Sequence, residues 1–286
     1  MDIVRTVSEM QQSTRLIRQA GQTIALVPTM GSIHDGHLSL VSEASKLADQ
    51  VIVSIFINPT QFGPGEDFDA YPRAIEKDMA VIWQHNNDCY VFAPPVAEMY
   101  PDGDNLTWVK TSKMAEYLCG TSRPGHFRGV QTVVAKLFNI CEPDYAVFGL
   151  KDAQQFFIIK RMARDLNFSV EVVGAQTHRE KDGVAMSSRN LNLSSEEREQ
   201  ATVLIAAVSE ARKMIEEGER GGERIERKMK QILSSATLGR IDYAQLVSTK
   251  DFTPVETIEP GETVVAAVAF YFERARLIDN AIIIVP

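Results

Sequence analysis

The sequence predicts an α/β fold, a doubly wound parallel sheet followed by a smaller α+β domain. Short apolar, β-branched stretches alternate with helical patterns through residues 1–175, the order that builds a parallel sheet. Those stretches lack polar/apolar alternation, as expected when helices cover both faces of the sheet. After Gly174 the texture changes to two helical patterns and then three strand-like ones.

Taken in order, "TIALVPT" at 23–29 looks like the first strand, and a helix is expected over 36–48. "VIVSIFI" at 51–57 gives the next strand and 73–86 the next helix. "DCYVFA" at 88–93 is followed by a helical pattern at 130–141, "YAVFGL" at 145–150 by another at 152–165, and "FSVEVVG" at 168–174 ends the series. The stretch 175–193 is polar and loop-like. Ser194 and Glu197 form a capping box for a long helix over 195–217, which Gly218 ends. A second helix at 223–234 precedes strands at 241–248, 263–272 and 276–285. The expected domains are therefore 1–175, Rossmann-like, and 176–286, a smaller α+β lid hinged on 175–193.

With 286 residues, 44% hydrophobic and 24% charged, the chain has the composition of an ordinary globular protein. No apolar run approaches the ~20 residues that span a bilayer, and the opening "MDIVRTVSEMQQ" does not read as a signal peptide, so a cytoplasmic location is expected. A net charge of −8 argues against general affinity for nucleic acid or anionic membrane. Cys89, Cys119 and Cys141 are widely spaced among apolar residues, with no metal-binding spacing, and read as reduced structural thiols.

The chemistry concentrates in "PTMGSIHDGHLSL", residues 28–40. It lies at the carboxyl end of the first expected strand, where open parallel sheets bind ligands. Gly31 and Gly36 let backbone approach a ligand, and a helix start favours phosphate. His34 and His37, three apart, share one face of the first helical turn. An imidazole there tends to stay neutral and can donate an N–H to a phosphate oxygen as charge develops. Taken alone, the pair could equally be one capping and one packing histidine, and zinc lacks the further ligands it would need. A second element, "AMSSRN" at 185–190, offers hydroxyls from Ser187 and Ser188 and the charge of Arg189. By itself it could be a turn followed by a solvated arginine.

Together the two elements resemble the nucleotide-transferring α/β superfamily, which includes class I aminoacyl-tRNA synthetases and small nucleotidylyltransferases. "FINPTQFGPGEDFDAYPR" (56–73), "RPGHFRGVQTVVAKLFNI" (123–140) and "FGLKDAQQ" (148–155) narrow the match. The five stretches, in this order and at comparable spacing, resemble the pantoate–β-alanine ligase (pantothenate synthetase) family over essentially the whole chain. The resemblance implies a two-step synthesis of pantothenate. Pantoate attacks the α-phosphate of ATP, giving pantoyl adenylate and pyrophosphate, and β-alanine then displaces AMP.

It also implies roles. Met30, Gly31, Ser32, Ile33, His34, Asp35, Gly36 and His37 would form one wall of the ATP site, with His37 the donor to developing charge. Gly149, Leu150, Lys151 and Asp152 would form another. Met186, Ser187, Ser188 and Arg189 would close over the phosphates, and His178 would lie near the adenine. Gln61 and Gln155 would hold pantoate, with Asn58, His126 and Arg128 lining the same pocket. Asp78 is a candidate outer partner for the Mg²⁺ that accompanies the triphosphate. A homodimer is typical of the family.

Two departures stand out. Leu150 replaces a glutamate usual in the family, removing a charge beside the ATP site, and Arg189 stands where the wider superfamily often has lysine. A nucleotidylyltransferase acting on a phosphate ester is the alternative, but it should need basic residues where "NPTQFG" and "DAQQ" offer neutral amides. A tRNA synthetase would need a basic RNA surface, and a non-catalytic nucleotide sensor would have little use for the whole set of phosphate-binding groups.

Overall fold

The computed structural model describes residues 3–66, 68–69, 71–103 and 105–286. Asp67 and Ala70, within the quoted 56–73 stretch, lie outside the described residues. The chain divides into two units, each with its own core.

The first unit comprises residues 1–111, 123–150 and 155–176. Its elements are β1 (Ile3–Val4), α1 (Val7–Gln19), β2 (Ile24–Thr29), α2 (Asp35–Leu47), β3 (Gln50–Ile55), α3 (Ile75–His85), β4 (Tyr90–Phe92) and α4 (Val96–Met99). After α5 (Cys119–Ser122), which belongs to the second unit, come α6 (His126–Cys141), β5 (Tyr145–Gly149), α7 (Ala153–Asp165) and β6 (Glu171–Ala175). Six parallel strands order as β1-β4-β3-β2-β5-β6. Successive side chains of a strand alternate between faces, and both faces are dry. Ile24, Leu26, Ile52, Phe92, Ala146 and Phe148 pack with Met10 and Ile17 of α1, Val134 and Phe138 of α6, and Ile159 and Met162 of α7. Ala25, Val27, Val51, Val53, Val91 and Val147 pack with Leu40, Val41 and Ala44 of α2 and Ile82 of α3. Two covered faces account for the unbroken apolar strands.

The expected strands and helices of this region are present, with ends shifted by a few residues. β1 and α1 have no counterpart among the expected elements. Their signal was available, because Thr6 and Glu9 form a reciprocal capping box with both bonds at 3.2 Å. α6 starts at His126 rather than 130.

The second unit comprises residues 112–122, 151–154 and 177–286. It holds α8 (Ser195–Gln200), α9 (Thr202–Glu216), α10 (Gly222–Leu233) and the antiparallel sheet β7 (Arg240–Ser248), β8 (Thr263–Tyr271), β9 (Arg276–Ile284), in that order. Leu204, Val208 and Ile215 of α9 and Ile225, Met229 and Leu233 of α10 pack on Leu246, Ala266, Val268 and Ile283. The single helix expected over 195–217 is interrupted at Ala201. There Leu204 N–H bonds back to Ala201 O at 3.2 Å, and the Thr202 hydroxyl donates to Glu199 O at 2.9 Å, a local bond that competes with the helical ladder.

The expected boundary at 175/176 falls next to the observed change at 176/177, but 112–122 and 151–154 group with the C-terminal elements. Polar links explain it. Gln154 Nε2 donates to Met114 O and Tyr117 O, both at 2.8 Å, and its Oε1 accepts from Cys119 N–H at 3.1 Å. Ser122 Oγ donates to Asp242 at 2.8 Å, and Arg276 reaches the same carboxylate at 2.7 Å. Cys89 and Cys141 are buried and free. Burial pushes the Cys89 thiol up to about 12 and the Cys141 thiol higher still, as befits unreactive core thiols.

Candidate active site

In the first unit the chain leaves β2 toward β3 and β4 and returns on the other side as β5. The order reverses between β2 and β5, and the carboxyl ends of these two strands are where an open sheet forms its ligand crevice. Residues 30–37 follow β2, and Gly149 ends β5 with Leu150 next in the chain.

The 30–37 turn is a rigid object. Gly31 and Ser32 both take left-handed backbone, with φ of 83° and 53°, costly for serine and natural for glycine. The buried carboxylate of Asp78 holds them. Its Oδ2 accepts Ser32 N–H and its Oδ1 accepts Ile33 N–H, each at 2.8 Å. A Cβ on Gly31 would sit 2.8 Å from Asp78 Oδ2. Thr29 Oγ1 donates to Ser54 O at 2.8 Å and accepts Gly31 N–H at 3.2 Å. His34 then takes the N-cap position of α2, and His37 N–H bonds to His34 O at 2.8 Å. The two imidazoles stack with centroids 4.1 Å apart and planes 30° apart, half-buried. Asp35 is exposed and Gly36 half-buried beside them.

The amides of Gly31, Ser32 and Ile33 are engaged within the protein. Asp78, the expected outer partner for Mg²⁺, accepts a main-chain N–H at each oxygen. Among the described residues no group of three or more His, Cys, Asp or Glu could hold a metal.

Beyond β3, a 3₁₀ turn at Pro59–Gln61 carries the expected pantoate glutamine. Asn58 is 1% exposed and fully engaged: its Nδ2 donates to Gln61 Oε1 and Gly129 O, both at 3.2 Å. Its Oδ1 accepts Tyr100 OH at 2.8 Å and Thr60 Oγ1 at 2.9 Å. His126 Nδ1 meets Gln61 O at 2.9 Å, and its Nε2 meets Arg123 at 3.1 Å. A guanidinium can only donate, so Nε2 accepts and the imidazole proton sits on Nδ1. Asn58 and His126, the expected pocket residues, both bond to Gln61. Arg123, which the sequence did not single out, pairs with Glu66 through two bonds of 2.7 and 2.6 Å. Burial would raise the Glu66 carboxyl, but Arg123, with smaller help from the Gly63 backbone and His126, holds it below its ordinary value. Gln61 Nε2 donates to a thioether, Met30 Sδ at 3.0 Å, a weak bond that a better acceptor would replace. Arg128 is exposed, its guanidinium 4.2 Å from the centroid of Trp108. Gln155 is half-buried on α7.

Leu150 packs against the first core, and a Cβ on Gly174 would stand 2.6 Å from its Cδ2. An apolar side chain suits that seat.

The second unit carries the remaining candidates. Lys151 Nζ lies 3.8 Å from Asp152, and Asn280 Nδ2 donates to Lys151 O at 2.9 Å. Residues 178–186 form a small hairpin, with Arg179 bridged to Ala185 and Met186 N–H donated to His178 O at 3.0 Å. The His178 side chain is half-buried. Ser187 caps the following 3₁₀ turn, its Oγ accepting Arg189 N–H at 3.3 Å, and Met186, Ser188 and Arg189 are half-buried. Asn190 ties the turn back to Ala185 O at 3.1 Å and to Glu180 at 2.6 Å. Arg198 braces the hairpin through Glu180 at 2.9 Å and Asp182 at 2.8 Å.

A family model described as pantoate–β-alanine ligase matches residues 2–282. A pantothenate synthetase from Salinibacter ruber is 50% identical over 292 residues, covering 100% of this chain and 99% of that protein. The crystal structure of pantothenate synthetase from Thermus thermophilus superposes with a TM-score of 0.89 at 41% identity, covering 98% of this chain and 99% of that one. A pantoate–β-alanine ligase from Francisella tularensis, solved in complex with β,γ-ATP and β-alanine, gives 0.77 at 32% identity, with coverage of 99% and 97%.

Proposed function

The chain belongs to the pantoate–β-alanine ligase family, and from that premise we propose that it joins pantoate to β-alanine through a pantoyl adenylate. In the first step a pantoate carboxylate oxygen bonds to the α-phosphorus of ATP, and the bond to the bridging oxygen breaks, releasing pyrophosphate. In the second, the β-alanine amine bonds to the acyl carbon, loses a proton, and AMP leaves with the carboxylate oxygen.

The observation that carries the reading is the paired-histidine turn, held rigid by Asp78 at the carboxyl end of β2. In the first unit, His34 and His37 supply N–H donors to phosphate oxygens, and His37 strengthens its bond as charge builds in the transition state. Gln61 exchanges its thioether contact for a pantoate oxygen, and Gln155 provides a second amide. Neutral amides orient pantoate without quenching the carboxylate that must attack. In the second unit, Lys151 contributes a point charge, Asp152 accepts from ribose hydroxyls, and Ser187, Ser188 and Arg189 bind phosphate oxygens. Catalysis rests on positioning and charge stabilisation, with no covalent enzyme intermediate.

The test is pyrophosphate release from ATP, Mg²⁺ and pantoate, with and without β-alanine. Release of about one equivalent per enzyme with pantoate alone, turning over once β-alanine is added, is expected. ATP binding with no release would overturn the reading and point to a phosphate-ester acceptor.

A further inference from the structure

The last strand of the second unit carries a charge where its pattern calls for an apolar residue. Along β9, Leu277, Ala281 and Ile283 turn toward α9 and α10 and are buried. Asp279 shares their phase and is 3% exposed. A carboxylate there is costly unless paired and fully hydrogen-bonded, and this one is. Arg179 Nη1 donates to Oδ2 at 2.7 Å and Nη2 to Oδ1 at 2.9 Å, a two-pronged pairing, and Asn280 N–H donates to Oδ1 at 2.8 Å.

Arg179 is the first arm of the small hairpin. Its Nη1 also donates to Gly183 O at 3.0 Å, and its backbone is bridged to Ala185. The chain passes from that hairpin through Met186 into the Ser187–Arg189 turn. The next residue of β9, Asn280, reaches Lys151 O on the strand's other face. Two consecutive residues thus bond to Arg179, at the head of the chain leading into the Ser187–Arg189 turn, and to Lys151, both segments proposed above to meet phosphate.

We propose that Asp279 is a positioning residue for the ligation reaction, fixing through Arg179 the orientation in which Ser187, Ser188 and Arg189 meet the triphosphate. The inference rests on the function proposed above. A pair kept only for stability gains nothing from charge, because well-packed apolar replacements of buried ion pairs are commonly as stable or more so. What the two-pronged pairing supplies is direction.

The discriminating variant therefore replaces the pair as a unit, Arg179→Met with Asp279→Leu. Its melting temperature is expected at or above that of the wild type. The rate of pyrophosphate release at saturation should fall at least about tenfold, with KM for pantoate changed by less than about twofold. Amide exchange across 186–190 should quicken at least about tenfold. A folded double variant with wild-type rate and wild-type protection overturns the proposal. Should the double variant not fold, Arg179→Lys keeps the charge and loses the second prong. The same slowing and the same local loss of protection are expected of it, and their absence is equally fatal. If the wild type releases no pyrophosphate, the ligase reading fails by itself, and the exchange measurement still decides whether Asp279 fixes the loop.

Discussion

His37 stands at the third helical position of α2, stacked on the N-cap imidazole of His34. Its Cβ and ring add little to either core, so His37→Ala should keep the wild-type melting temperature within a few degrees. The first half-reaction should slow about a hundredfold or more, the range for losing a positioned donor to developing charge. Collapse of the variant would make this histidine structural instead. Arg189→Ala tests a different task. Adenylate formation should slow far more than pantoate affinity weakens, measured by single-turnover kinetics beside equilibrium binding. Equal losses would remove Arg189 from the phosphates. Both residues are plain in the sequence because each sits in a short motif. Asp78 is not: it lies 46 and 45 residues from the amides it accepts, and no local pattern ties a carboxylate on α3 to a turn after β2.

At the level of elements, the substrate side of the first unit depends on α6 lying tight against the Pro59–Gln61 turn. Gly129 makes that approach possible, since a Cβ there would stand 2.3 Å from Thr60 O. Gly129→Ala must push helix and turn apart, and a loss of about 3 kcal/mol in denaturant unfolding is expected. A neutral result would mean that the turn is free to move. The Glu66–Arg123 pair gives the same region a pH dependence. A carboxyl whose folded value is depressed stabilises the fold above its unfolded value and loses that contribution as pH falls through the folded one. Stability should therefore fall below about pH 4.5, and Glu66→Gln should flatten that part of the profile. An unchanged profile in the variant would assign the acid sensitivity to other groups.

Across the whole molecule, the proposed ATP groups are His34 and His37 of the first unit and Lys151 with Ser187–Arg189 of the second. ATP at about a hundred times its Kd should stabilise the protein by about 2.7 kcal/mol. Hydrogen exchange should then show protection in both 31–37 and 186–190. Protection confined to one segment would strip the other of its assignment. The sequence by itself determined the α/β class, the parallel sheet, the family and the motif residues, because apolar periodicity and contiguous motifs are local records of burial and chemistry. It left several things open: that 112–122 and 151–154 belong with the C-terminal unit, that Asn58 and His126 bond to Gln61 and Asp78 to the amides of residues 32 and 33, and that Asp279 is seated in a core. Those were decided by the tertiary structure alone, because a buried polar group is defined by its partner. The partners here, Gln154 with Met114, Asn58 with Gly129, and Arg179 with Asp279, lie 40, 71 and 100 residues apart along the chain.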